Sequence, residues 1–175
     1  KHNSKLYTSF YNTLSSQNKE VTYPEVGQEY EFGEGSFTVL GPTQIRDDSN
    51  NNSVVVRLDY GDTSFLFTGD AESKEEKDII AANEDLYCDV LSVGHHGSAS
   101  STSWDFLEAV LPEYAVISCG VNNSYGHPDP DTIEKLESIE AQICRTDLQG
   151  NIIAISDGET ITWNNVPSNG EVLYA

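Results

Sequence analysis

The sequence predicts an α/β fold, and three observations carry that reading. Four apolar strand-like runs, Thr63-Ser-Phe-Leu-Phe-Thr, Cys88-Asp-Val-Leu-Ser-Val, Tyr114-Ala-Val-Ile-Ser and Ile143-Cys-Arg-Thr, are separated by helix-like segments. Short strands with tight turns precede these runs and antiparallel strands follow them, so a helical layer lies against a sheet. Finally, 37% hydrophobic and 10% aromatic residues in a chain of 175 suit one domain with a real core.

Each element has a local reason. Tyr7, Phe10, Tyr11 and Leu14 recur at helical spacing near the start of the chain. Val21-Thr-Tyr, Glu29-Tyr-Glu-Phe and Ser36-Phe-Thr-Val-Leu read as strands punctuated at Gly27, Gly33 and Gly35 and stopped by Gly41-Pro42. Residues 43–53 form a polar loop. Ser53 to Tyr60 is a strand, and Gly61-Asp62 turns it into its partner at Thr63. Ser73 to Asn83 is a charged helix with Ile79 and Ile80 as its apolar side. Ser103 caps a helix to Val110 in which Trp104, Leu107 and Leu111 share a face. Asp129 or Asp131 caps a helix to Ile139 with Ile133, Leu136 and Ile139 in line. Asn151-Ile-Ile-Ala-Ile-Ser and Thr160-Ile-Thr-Trp close the set as strands, and residues 167–175 read as a tail to a single domain over 1–175.

Charge narrows the function. Nine Lys and Arg against 29 Asp and Glu give −20. Nucleic-acid affinity through a basic patch, and attachment to an anionic lipid surface, both need the opposite sign. An enzyme that meets a phosphodiester through metal ions is still allowed. No run of about 18 apolar residues exists, so this segment offers no membrane span. The cysteines, Cys88, Cys119 and Cys144, are odd in number and widely spaced. They form no disulfide framework, and Cys88 and Cys119 read as small buried hydrophobes.

The chemistry concentrates in three loops that each follow a strand. The first is Thr68-Gly69-Asp70-Ala71-Glu72, with a carboxylate suited to a metal or to proton transfer. Alone, a Gly-Asp pair also serves as a turn or helix cap. The second, Gly94-His95-His96-Gly97-Ser98, holds two of the four histidines between glycines. The third runs from Gly120 to Pro128 and carries Asn123, Tyr125 and His127, residues that also suit a plain turn. Loops beyond one edge of an open α/β sheet converge on the ligand site. Asp70, His95 or His96, and His127 are therefore expected around one pocket.

Five blocks carry a family resemblance: Asn52-Ser-Val-Val-Val-Arg-Leu-Asp-Tyr-Gly, Phe65-Leu-Phe-Thr-Gly-Asp70-Ala-Glu, Asp89-Val-Leu-Ser-Val-Gly-His95-His96-Gly-Ser98, Ala115 through His127-Pro128, and Arg145-Thr-Asp147-Leu-Gln-Gly. In order and spacing, over residues 35–160, they resemble the metallo-β-lactamase-fold domain of competence-type (ComEC-like) hydrolases. The resemblance implies an αββα sandwich of mixed sheets with flanking helices, and metal-dependent hydrolysis of a phosphodiester in the manner of a nuclease. It implies zinc or manganese in a two-metal site, with Asp70 bridging and His95 a ligand, His96 being the alternative. His96 and His127 would then act in catalysis or proton transfer, and Ser98, Asn123 and Tyr125 would hold substrate. By the same resemblance the domain lies outside the cytoplasmic membrane.

One departure is large. The family's HxHxDH motif lies upstream of the matched blocks, and this sequence has no such motif. The matched part corresponds to the second half of the domain. The chain has no Met and begins at Lys1, so we expect a piece of a longer chain whose N-terminal half is its partner. Alone, it is expected to be inactive and to hold zinc poorly. The competing expectations are a degenerate non-catalytic α/β module that binds a partner through its acidic surface, and a hydrolase of a small molecule.

Overall fold

The computed structural model describes residues 4–164. His2 and the proposed tail at 167–175 lie outside the described residues. A seven-stranded sheet runs in chain order: β1 (Glu29–Phe32), β2 (Gly35–Gly41), β3 (Val55–Tyr60), β4 (Thr63–Phe67), β5 (Val90–Ser92), β6 (Tyr114–Ile117) and β7 (Gln142–Arg145). The first four strands pair antiparallel and β4 to β7 pair parallel. Parallel neighbours need crossovers, and α2 (Ser73–Ala82), α3 (Trp104–Val110) and α4 (Pro130–Ser138) supply them. A short α5 (Thr146–Gln149) follows β7, α1 (Lys5–Ser16) opens the chain, and β8 (Ile153–Ser156) with β9 (Ile161–Asn164) forms a separate hairpin.

The three crossover helices bury one face of the sheet. Ile79, Phe106, Leu107, Val110 and Leu136 join Val55, Leu66, Leu91, Ala115 and Ile117 in one core cluster. Side chains alternate along a strand, so the intervening residues point the other way. There, register aligns Leu58, Phe65, Val90 and Tyr114 in one row and Phe67, Ser92 and Val116 in the next. The β8–β9 hairpin covers part of this second face, with Trp163 against the Tyr114 ring at 4.7 Å and Ser156 Oγ 2.6 Å from Thr63 Oγ1. A cavity of about 580 Å³ remains, lined by Phe32, Leu58, Tyr60, Phe65, Phe67, Val90, Val116 and Trp163 among others. Apolar runs on both faces belong to a sheet buried between layers. The α/β class, the mixed sheet and the flanking helices are as the sequence implies.

Several details differ. Val21–Tyr23 is not a strand but extended chain, with the Tyr23 hydroxyl 3.4 Å from that of Tyr11. In α3 the buried face is Phe106, Leu107 and Val110, whereas Trp104 and Leu111, at the two ends of a seven-residue helix, are 47% and 55% exposed. The polar loop at 43–53 is not merely solvated. Asn51 is fully buried within it, and Arg46 pairs with both Glu75 and Asp78 of α2.

Candidate functional site

β4, β5 and β6 run parallel, so their carboxyl ends share one edge and the three loops emerge together. Backbone bonds stitch the loops. His95 N–H donates to Gly69 O at 2.9 Å, and Asp129 N–H to Gly97 O at 2.8 Å. Asp70 N–H donates to Ser53 Oγ at 3.0 Å, which ties the first loop back to the start of the β3 segment.

The loop after β5 is wound into left-handed backbone, with φ of 49° at His95, 57° at His96 and 82° at Gly97. Such angles are uncommon for residues with a Cβ and cluster at functional sites. Gly97 has no alternative, because a Cβ there would lie 2.7 Å from Pro128 Cβ. This winding throws the two imidazoles apart, their ring centroids 6.3 Å from each other.

His96 goes to Asp70. Its Nε2 is 3.8 Å from Asp70 Oδ1, and its Nδ1 is 2.7 Å from the Ser118 carbonyl. A carbonyl only accepts, so Nδ1 carries the proton, and in the neutral ring Nε2 turns its lone pair toward the carboxylate. Two facing lone-pair donors suit a cation, with the Ser118 carbonyl as the outer support that ligand imidazoles have. Two donors do not complete a catalytic zinc site, which takes three protein ligands. Among the described residues no group of three or more His, Cys, Asp or Glu stands close enough to hold a metal.

His95 goes the other way. Its Nδ1 lies 3.3 Å from Glu72 Oε1 and 3.4 Å from Ser100 Oγ, while its ring is 5.8 Å from that of His127. His127 in turn stacks on Tyr125 at 5.8 Å, and both line a cleft of about 310 Å³ with His96, Ser118, Cys119, Gly120 and Asn123. So Asp70, His95, His96 and His127 do gather at one rim of the sheet. Asn123 holds its own loop: its Oδ1 accepts from His127 N–H at 3.0 Å, and its Nδ2 donates to the carbonyls of His127 at 2.6 Å and Gly120 at 3.0 Å. Ser98 stands outside the cleft, its Oγ 3.0 Å from Ser100 Oγ. Burial pushes the Cys119 thiol up to about 11, so this cleft residue stays protonated near neutral pH.

Sequence reading passed over Glu72, Ser100 and Asn51. Glu72 was visible two residues after Asp70, but its side chain is recruited by loops distant in sequence. Asn50 and Asn51 donate to it at 3.2 and 3.3 Å, and Ser100 at 2.9 Å.

Comparison with known proteins agrees with this architecture. The chain is 38% identical to ComE operon protein 3 of Bacillus subtilis over 117 residues, 66% of this chain. It is 38% identical to competence protein ComA of Neisseria gonorrhoeae over 125 residues, 70% of the chain. It is 36% identical to recombination protein 2 of Haemophilus influenzae over 133 residues, 75% of the chain. The aligned parts amount to 15%, 18% and 16% of those proteins' own lengths, so the chain spans under a fifth of each. Residues 5–121, more than half of the chain, match the model of the metallo-beta-lactamase superfamily, and to that superfamily this chain belongs.

Proposed function

We propose that this chain forms part of a metal-dependent hydrolase that cleaves phosphodiesters. The observation that carries the reading is the Asp70 carboxylate facing His96 Nε2 at 3.8 Å, beside the His127 cleft on the carboxyl edge of a parallel sheet. Metal centres in such hydrolases, zinc or manganese, lower the pKa of bound water. This chain would contribute Asp70 and one imidazole of the His95–His96 pair. The distance to Asp70 favours His96 for that place, while the family resemblance favours His95. His127, stacked on Tyr125 and clasped by Asn123, is suited to hold or move a proton at the substrate's leaving oxygen. Tyr125, 82% exposed, offers a face for the substrate.

The missing donors and the open apolar face of the sheet point to one source. A second sheet, from the N-terminal half of the same fold, would cover Leu58, Phe65 and Phe67 and bring the HxHxDH ligands. Names such as competence and recombination among the relatives point to nucleic acid as the polymer. By the resemblance the site would lie outside the membrane. No helix among the described residues is long and apolar enough to cross one.

The test is Asp70→Asn in the full-length protein, assayed with manganese or zinc on single-stranded DNA and on bis(p-nitrophenyl) phosphate. Loss of about 100-fold or more fits a residue at the reacting centre. Wild-type turnover in the variant defeats the reading. A charge of −20 with a donor pair short of a full set supports a second reading, a non-catalytic module that binds a partner through its acidic face. Full-length wild-type protein that hydrolyses neither substrate with any metal would favour it.

A further inference from the structure

Glu72 stands at the N-cap of α2, where a carboxylate would ordinarily accept from the first amides of the helix. It makes no such bond. Asn51, from the distant loop before β3, does the capping instead, accepting with one oxygen from the N–H groups of both Glu72 and Glu75 at 3.2 Å each. The Glu72 carboxylate is thereby released. It is held by Asn50 and Asn51 and turned toward His95.

Counting protons fixes what that carboxylate does. Ser100 has one hydroxyl proton, and at 2.9 Å from Glu72 Oε1 it must go to the carboxylate, which only accepts. Toward His95 Nδ1, at 3.4 Å, the Ser100 oxygen is then an acceptor. Glu72 Oε1, at 3.3 Å from the same nitrogen, is an acceptor too. Both neighbours ask Nδ1 for a proton. Toward Ser98 Oγ the Ser100 oxygen likewise accepts, so the Ser98 hydroxyl feeds this group rather than the cleft.

We propose that Glu72 is a positioning residue that locks His95 as its Nδ1–H tautomer: it holds the Ser100 hydroxyl proton, so that the Ser100 oxygen accepts from Nδ1, its own charge stands beside that nitrogen, and Nε2 is left with the lone pair. This rests on the reading of His95 as a site residue only for its functional meaning; the tautomer itself rests on the Ser100 hydrogen bonds to Glu72 and His95 and on the Glu72 charge 3.3 Å from Nδ1. A carboxylate behind an imidazole that presents its other nitrogen is the arrangement that orients metal-binding or proton-accepting histidines.

The experiment is a long-range proton–nitrogen NMR spectrum of the full 175-residue chain carrying 15N-labelled histidine, at a pH where imidazole is neutral. His95→Gln assigns the signal. We expect the Nδ1–H form to dominate in the wild type, and the ratio of tautomers to fall about fivefold in Glu72→Ala, because the Ser100 hydroxyl, freed from the carboxylate, can then donate to Nδ1, an exchange worth about one ordinary net hydrogen bond. If Glu72→Ala does not fold, Glu72→Gln is read in its place: it keeps the side-chain length and a weaker acceptor, and should give a smaller shift in the same direction. A wild-type His95 in the Nε2–H form, or an unchanged ratio in the folded variant, overturns the proposal. Neither readout involves metal or turnover, so it can fail while Asp70→Asn still abolishes hydrolysis, and hold where Asp70→Asn does not.

Discussion

Asn51 and Glu72 exchange two hydrogen bonds: Asn51 Oδ1 accepts from the Glu72 backbone at 3.2 Å, and Asn51 Nδ2 donates to Glu72 Oε2 at 3.3 Å. The asparagine is fully buried and also accepts from Glu75 N–H. Asn51→Ala therefore uncaps α2 and strips the Glu72 carboxylate of a donor at once. An N-cap loss costs about 1 kcal/mol, and a buried polar group left unpaired a further 1–3. We expect urea unfolding to show about 2–4 kcal/mol of destabilisation, and a change below about 0.5 kcal/mol would mean water replaces the cap at no loss.

The same pair marks where the sequence stops being legible. Strands and crossover helices were readable, because apolar runs and helical spacing are local signals, and Asp70, His95, His96 and His127 were readable as a group because parallel strands bring their carboxyl ends together. What could not be read was long-range recruitment of polar side chains. Asn51 falls in a segment that reads only as a polar loop, yet it is buried as the cap of a helix that Ser73 opens 22 residues downstream. Asn123 looked like a substrate contact and is occupied by its own loop's backbone. Side-chain amides serve either purpose, and only coordinates tell which partner is near.

A donor pair cannot hold a metal as three or four donors do. Asp70 and His96 leave most of the coordination sphere to water. We expect calorimetry of the 175-residue chain at pH 7.5 to give zinc binding weaker than about micromolar, and no hydrolysis. Tighter binding, abolished by Asp70→Asn, would mean that this chain completes a site unaided.

Gly97 holds the loop after β5 against the loop of His127. Its φ is 82°, and a Cβ would meet Pro128 Cβ at 2.7 Å and Ile117 at 3.3 Å. Its carbonyl accepts from Asp129 N–H. Gly97→Ala thus combines a left-handed backbone penalty with an overpacked contact, about 1–3 kcal/mol each. We expect about 2–4 kcal/mol lost in urea unfolding. A variant as stable as the wild type would show that the loop has room the structure does not give it.

Cys88 is fully buried in the strand-and-helix core, and burial pushes its thiol from an ordinary 9.0 up to about 12. The sign of the consequence follows. Between those values the unfolded chain has released the proton and the folded chain keeps it, so the folded state binds more protons and stability falls as pH rises. The contribution is whole below pH 9 and lost as pH climbs through about 12. Cys144, also buried, is raised to about 11 and adds to the same slope. We expect urea midpoints to drop between pH 8 and 10.5, and the drop to be smaller in Cys88→Ala, even though that variant starts from lower stability because it leaves a small cavity. Tyrosines and lysines also titrate there, but equally in both proteins, so the difference between the two slopes isolates the thiol. Equal slopes in variant and wild type would mean that the Cys88 thiolate is no worse off inside the protein than in water.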